Sequence, residues 1–261
     1  FIEEAILKGA SVIVCSTRCN FKHKTVLIIK KNDLRGFLSE ISSKFYNLKP
    51  KNIFAVTGTN GKTSVADIFY QILRLLKKPV ASIGTLGIKY NDKIIKTNLT
   101  SPDTVFLHKS LEFLKKKKID NVIIEASSHG LDQKRLHNII FKAAIFTNFT
   151  QDHLDYHKNM SSYLNAKLIL FREILNKGST IISDKDIKPF PNLKKIAKKK
   201  NLRILDIAKV IDKIKYVATN SSSDFKYKNL AMSIKAIGLC GFKERQILGK
   251  INQIKEVSGR L

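Results

Sequence analysis

The chain of 261 residues has no tryptophan, three cysteines, five prolines and two methionines. Cys15, Cys19 and Cys240 are too few and too scattered to build a disulfide framework, and their sparseness points to a reducing compartment. Cys15, Cys19 and His23 lie close together in sequence, but no fourth metal ligand is evident beside them. Twelve glycines and five prolines without a period exclude collagen-like and low-complexity chains. No apolar run approaches the roughly 20 residues that span a bilayer, and no secretory leader is visible. Acidic residues are also scarce, 21 against 48 basic ones, for a formal net charge of +27.

Only eight of the 48 basic residues are arginine. Nucleic-acid readers lean on arginine forks. Here the lysines are dispersed, with short runs at Lys115–Lys118 and Lys198–Lys200. The charge therefore reads as solvated lysine faces, and no nucleic-acid partner is expected. Such a surface still attracts phosphate-bearing ligands.

What is present is an ordinary globular balance, 43% hydrophobic and 26% charged. Short β-branched runs at Ser11–Cys15 and Thr25–Ile29 precede a helical spacing over Asp33–Tyr46. The proline-bearing segment Asn47–Lys51 reads as a linker. Beyond it, strands are expected at Ile53–Thr57, Pro79–Ile83, Asn121–Ala126, Ala143–Thr147, Ser179–Ser183, Arg203–Asp206 and Lys215–Thr219. Helices are expected at Lys62–Leu76, Thr104–Lys117 (capped by Asp103), Met160–Asn176, Asn229–Ile237 and Lys243–Lys255. Gly87–Thr97 reads as a hairpin turning at Asn91-Asp92. Alternating strands and helices imply an α/β fold with a mainly parallel sheet covered on both faces. A partial small α/β domain is expected over residues 1–48, and a larger α/β domain over 49–261.

Strand Ile53–Thr57 runs into Gly58-Thr59-Asn60-Gly61-Lys62-Thr63-Ser64 and then a helix. Glycines let backbone N–H groups turn toward an anion, and the helix start adds its positive end. Lys62 is placed to reach β/γ-phosphates and the Thr63 hydroxyl to ligate Mg²⁺. The longer Walker spacing would put glycine at position 56, where this chain has Val56, so the fit is to a shorter G-T-x-G-K-[TS] variant.

Three further features cluster by sequence at strand ends. Glu125 closes the strand Asn121–Ile124, at the edge where open α/β sheets bind ligands. A carboxylate there suits Mg²⁺, directly or through water, although an exposed strand-end residue is an equal reading. Asp152-His153-Leu154-Asp155-Tyr156-His157 reads either as a metal or phosphate site or as a capped helix start with surface histidines. Lys167, alone on a helix, would ordinarily be solvated. Together these residues support a Mg²⁺-dependent nucleoside triphosphate site and leave the acceptor open.

The ordered series Val56–Ser64, Leu99–Asp103, Glu125–Leu131, Thr147-Asn148, Asp152–His157 and Tyr163–Lys167 resembles the Mur ligases, the ATP-dependent amino-acid ligases of peptidoglycan synthesis. Within the family it is most similar to the branch that adds the third stem-peptide residue. The resemblance implies a P-loop-type ATPase domain over 49–261, preceded over 1–48 by the end of a UDP-binding domain. It also implies that the chain, which starts at Phe1, is a fragment ending at the junction to a third domain. Gly58, Thr59, Asn60, Gly61, Lys62, Thr63, Ser64, Asn148 and Asn229 would bind ATP. Thr63, Glu125, His153 and Lys167 would surround Mg²⁺, with Lys167 carbamylated. Thr100, Ser101, Ser127, Gln133 and Arg135 would hold UDP-N-acetylmuramoyl-dipeptide. Lys62, Lys167 and His153 would be the catalytic residues.

The implied reaction adds a diamino acid, meso-diaminopimelate or L-lysine, through an acyl phosphate, in the cytoplasm, by a protein monomeric at full length. Three positions depart from the family pattern: Lys226 for Asn ahead of Asn229, Ser101 for Thr, and Ala126 for Val. A non-catalytic or split nucleotide-binding relative is the alternative.

Overall fold

The computed structural model describes residues 1–217 and 223–255. Two sheets are formed. A two-stranded parallel sheet pairs β1 (Val12–Ser16) with β2 (Leu27–Lys31). It follows the short helix α1 (Ile2–Leu7) and precedes α2 (Leu34–Phe45), whose N-cap Asp33 accepts from Gly36 N at 3.0 Å.

The main sheet has eight strands: β3 (Asn52–Thr57), β4 (Val80–Gly84), β5 (Gly87–Tyr90), β6 (Lys93–Ile95), β7 (Asn121–Glu125), β8 (Ala143–Phe146), β9 (Thr180–Ser183) and β10 (Arg203–Asp206). Their spatial order is β10-β9-β8-β3-β7-β4-β5-β6. All pairings are parallel except the terminal hairpin, where β5 runs antiparallel to β4 and β6 to β5. Asn91 and Asp92 turn that hairpin with φ of 43° and 61°, the left-handed pair that tight hairpins need.

The helices are α3 (Lys62–Leu75), α4 (Thr104–Lys116), α5 (Ser128–Asp132), α6 (Leu154–His157), α7 (Met160–Ile169), α8 (Phe190–Lys200), α9 (Ala208–Val217), α10 (Asp224–Gly238) and α11 (Glu244–Leu248). Strand period decides the two cores. Ile53 and Ala55 of β3 face one apolar layer, with Leu107, Leu111 and Leu114 of α4, Phe171 and Leu193. Phe54 and Val56 face the other, with Phe69 and Leu73 of α3, Val210 and Ile214 of α9, and Ile234 and Ile237 of α10. The strands are therefore buried on both faces, as a parallel sheet requires.

Several expectations change, among them the helix expected from Asn229, which begins at Asp224. Residues 215–217 form the last turn of α9, not a strand; Val210 and Ile214 are buried one turn apart, and that helical period governs the segment. Positions 218 and 219 lie outside the described residues. The helix expected over Lys243–Lys255 stops at Leu248, and a 3₁₀ turn follows at Ile251–Gln253, because Gly249 interrupts it. The helix from Met160 changes to π geometry over Leu170–Ile174. Helix α8 was unexpected: its tail of lysines hides a narrow apolar face carried by Leu193 and Ala197. Among the described residues no helix is long and apolar enough to cross a membrane.

Candidate active site

The site forms along the C-terminal edge of the parallel strands, where β3, β7 and β8 end side by side. Beyond β3 the chain makes its glycine turn. Gly58 has φ +144°, and a Cβ there would sit 1.9 Å from Thr147 Oγ1. Gly61 has φ +84°, and a Cβ there would sit 2.6 Å from Asn229 Oδ1. Only glycine meets both the backbone angle and the close approach at these two positions.

The segment after β8 straps this loop. Thr147 Oγ1 donates to Asn60 O at 2.6 Å, and Asn60 N donates to Asn148 Oδ1 at 2.9 Å. Thr59 Oγ1 donates to Thr150 O at 3.1 Å and accepts from Thr150 N at 3.0 Å. Lys62 Nζ donates to Gly58 O and Thr59 O at 3.0 and 2.7 Å. Asn148 thus shapes the loop from behind. Ser64 occupies the first turn of α3.

Glu125, only 2% exposed, is the buried carboxylate of the edge. Thr63 Oγ1 donates to its Oε2 at 2.9 Å, and Thr85 N donates to its Oε1 at 2.9 Å. Burial raises its pKa above the usual carboxylate range, opposed by those hydrogen bonds and by the Lys62 charge. The surface-residue reading of Glu125 does not hold.

Lys167 also departs from its expected solvation. It is 1% exposed, and Nζ donates to Gly58 O at 2.7 Å and lies 4.2 Å from the centroid of the Tyr163 ring. Burial, with the nearby Lys62 charge, lowers its pKa to about 6, so its amine is mostly neutral at pH 7.

A cavity of about 280 Å³ opens at this edge, lined by Thr59, Lys62, Thr100, Ser127, His153 and Lys167, together with Asn60, Thr85, Ser128 and Asp152. His153 starts α6 with φ 51°, and its Nε2 is 3.5 Å from Asp152 Oδ2. Its ring contacts those of His129 and Tyr163, at 5.1 and 6.0 Å between centroids.

The expected acceptor residues split in two. Thr100 and Ser127 line the cavity. Ser101, Gln133 and Arg135 form a network behind it: Arg135 donates to Ser101 O at 2.7 Å and to Gln133 Oε1 at 2.5 Å, and Ser101 Oγ donates to Glu125 O at 2.8 Å. Asn229 lies against Gly61, apart from the cavity lining. Thr85 was missed as a lining residue, while Ser128 and Asp152 fall within the Glu125–Leu131 and Asp152–His157 runs that the sequence pointed to. Thr85 directly follows strand β4, so the strand-end rule that found Glu125 would have found it as well.

Among the described residues no three His, Cys, Asp or Glu side chains converge in a metal-holding group. The hard oxygens at hand are the carboxylate of Glu125 and the hydroxyl of Thr63, already in contact. Together they fit one side of a Mg²⁺ shell whose other oxygens come from phosphates and water.

Residues 56–246 match the Mur ligase middle domain. A UDP-N-acetylmuramoyl-L-alanyl-D-glutamate–2,6-diaminopimelate ligase of Rickettsia bellii is 33% identical over 289 residues, spanning 100% of this chain and 60% of that protein. The ligase of the same name from Wigglesworthia glossinidia brevipalpis is 39% identical over 246 residues, spanning 91% of this chain and 46% of that protein. A solved structure of a ligase of this name superposes with a TM-score of 0.80 at 23% identity, covering 99% of this chain and 57% of that one, which is a likeness of fold. The chain thus spans about half the length of the curated relatives it matches. With the match covering most of its length and the phosphate loop inside it, the chain belongs to the Mur ligase family.

Proposed function

We propose that this chain is the ATP-binding part of a ligase that joins a diamino acid to UDP-N-acetylmuramoyl-L-alanyl-D-glutamate, acting in the cytoplasm. The observation that carries the reading is a buried, largely neutral lysine, Lys167, bonded to the phosphate loop carbonyl of Gly58 at the rim of one cavity with Lys62 and His153. The names of the relatives supply the substrate class. Residues 49–261 form the central ATPase domain in this reading, and 1–48 the end of a UDP-binding domain.

The roles follow from chemistry and position. Backbone N–H groups of Gly58–Ser64 at the start of α3 bind ATP phosphates. Lys62 turns from the loop carbonyls to the phosphate charge. Thr63, Glu125, His153 and Lys167 would hold Mg²⁺, which would offset the charge of phosphoryl transfer.

Lys167 does so as a carbamate. Its neutral amine attacks CO₂, an N–C bond forms as a C=O π bond opens onto oxygen, and the nitrogen releases a proton. A cationic side chain becomes an anionic oxygen donor. Thr100 and Ser127 contact the muramoyl-dipeptide directly. Ser101, Gln133 and Arg135 shape that wall through their network behind the cavity. The dipeptide's terminal carboxylate attacks the γ-phosphate, giving ADP and an acyl phosphate. The diamino acid's amine then displaces phosphate. The first step calls on positioning more than acid–base work.

The test is ATP titration of this chain by calorimetry, followed by ADP release with the UDP-muramoyl-dipeptide. The expected result is ATP binding that Lys62→Ala weakens by at least tenfold, and ADP release that depends on the dipeptide. A wild-type chain that does not bind ATP overturns the reading. ATP binding with no dipeptide-dependent chemistry turns it into the alternative, a non-catalytic nucleotide-binding relative.

A further inference from the structure

Asp184 has no place in the chemistry above, yet it is a nearly buried carboxylate at the active edge. It directly follows β9 and is 3% exposed. Its Oδ1 accepts from Asp186 N at 3.0 Å, and its Oδ2 lies 2.9 Å from Lys228 Nζ. Lys228 sits on α10 and also lies 3.2 Å from Asp224 Oδ2, one turn earlier on the same helix. The Asp184 and Asp224 carboxylates raise the Lys228 pKa, against the pull of burial, so the ammonium stays charged at neutral pH; its contact with Asp184 Oδ2 is an ion pair outside good hydrogen-bond geometry.

The next residue is Asn229, whose amide lies against Gly61 so closely that a Cβ there would clash. One turn further on, Ser233 Oγ lies 3.0 Å from Val65 O and 2.9 Å from Asn229 O. Helix α10 is thus clasped to α3 at Ser233 and to the end of β9 at Lys228. Asn229 lies between the two clasps.

We infer that the Lys228–Asp184 ion pair is a positioning device for nucleotide binding: it fixes the N-terminal half of α10 so that Asn229 stays against the phosphate loop. The inference rests on the nucleotide reading above. A buried carboxylate whose partner is removed carries an uncompensated charge, so the helix start must shift or the carboxylate must find water. A shift of the helix moves Asn229, which is one residue from Lys228. The pair then acts on ATP through Asn229 and not by touching it.

The experiment is calorimetric titration of the chain with ATP for wild type, K228M, K228R, N229A and the double variant K228M/N229A, with a thermal melt of each. K228M is expected to weaken ATP by about three- to tenfold, within the lower part of the coupling range for contacting residues. K228R should restore most of the affinity. In the N229A background, K228M should cost nothing more. Binding by K228M equal to wild type overturns the inference, as does an equal loss with and without Asn229, which marks a structural role alone. A wild-type chain that binds no ATP overturns the nucleotide reading and this inference with it. If K228M does not fold, D184N/K228M, which removes both charges, makes the same comparison with N229A.

Discussion

The C-terminal edge of the main sheet and the small amino-terminal unit bury opposite things. At the edge, Thr59, Thr63, Glu125 and Lys167 are all nearly inaccessible, and each is held by a named hydrogen bond. In the amino-terminal unit only Ile13, Cys15 and Val26 are buried as a cluster, while Leu34, Leu38, Ile41 and Phe45 of α2 are exposed. Buried polar groups cost free energy unless bonded, and at the edge each of the four has its partner. The amino-terminal unit has little core and is joined to the rest by polar contacts, such as Lys134 with Asp33 and Ser43 Oγ with Asn138 O. Polar burial therefore marks the candidate site in one region, and the scarcity of burial makes individual hydrogen bonds decisive in the other.

Lys167 gives the largest expected effect. Folded, it releases its proton near pH 6, against an ordinary 10.5. Between those values the unfolded chain binds more protons, so stability rises with pH. From pH 7 to 9 the contribution is about 3 kcal/mol. Urea unfolding in carbon-dioxide-free buffer should show this slope in wild type and lose it in Lys167→Met. Equal slopes would mean that Lys167 titrates as a surface lysine, and the contrast between the two regions would fail.

His108 tests the seam between the regions. It lies on α4, which packs against α2, and it is wholly buried with neither ring nitrogen in good hydrogen-bond geometry. Burial, with the charge of Lys49, lowers its pKa to about 4. The unfolded chain takes up a proton near 6.5 and the folded chain does not. Stability is fully present above that value and is lost as pH falls toward 4. From pH 7 to 5 the loss is about 2 kcal/mol. Denaturation at the two pH values should show it in wild type and not in His108→Leu.

The sequence exposed the parts whose signal is local. The period of Ile53–Thr57, the glycine spacing of Gly58–Gly61 and the Asp103 cap each depend on neighbours along the chain, and each recurs in the structure. What was not legible depends on distant contacts. Nothing near Lys167 announces burial; that follows from Gly58 O and the Tyr163 ring reaching it from other elements. Arg135 carries an obvious charge, but its turn onto Ser101 O takes it out of the cavity lining. The π turn at Leu170–Ile174 changes the helix register after Lys167, which apolar spacing alone does not reveal.

Ser39 gives the smallest effect and the sharpest division. It is fully buried on α2, where its Oγ donates to His137 O at 2.7 Å and accepts from Asn138 Nδ2 at 3.2 Å. Ser39→Ala removes both bonds and leaves that carbonyl and amide without their partner, at about 1 kcal/mol. If the amino-terminal unit is held mainly by such contacts, the loss should be local. Hydrogen exchange should then quicken in α2 while the amides of β3 and β7 keep their protection. An even loss would show that the two regions open as one cooperative unit, so that the scarcity of core in the first is compensated by the second through this seam.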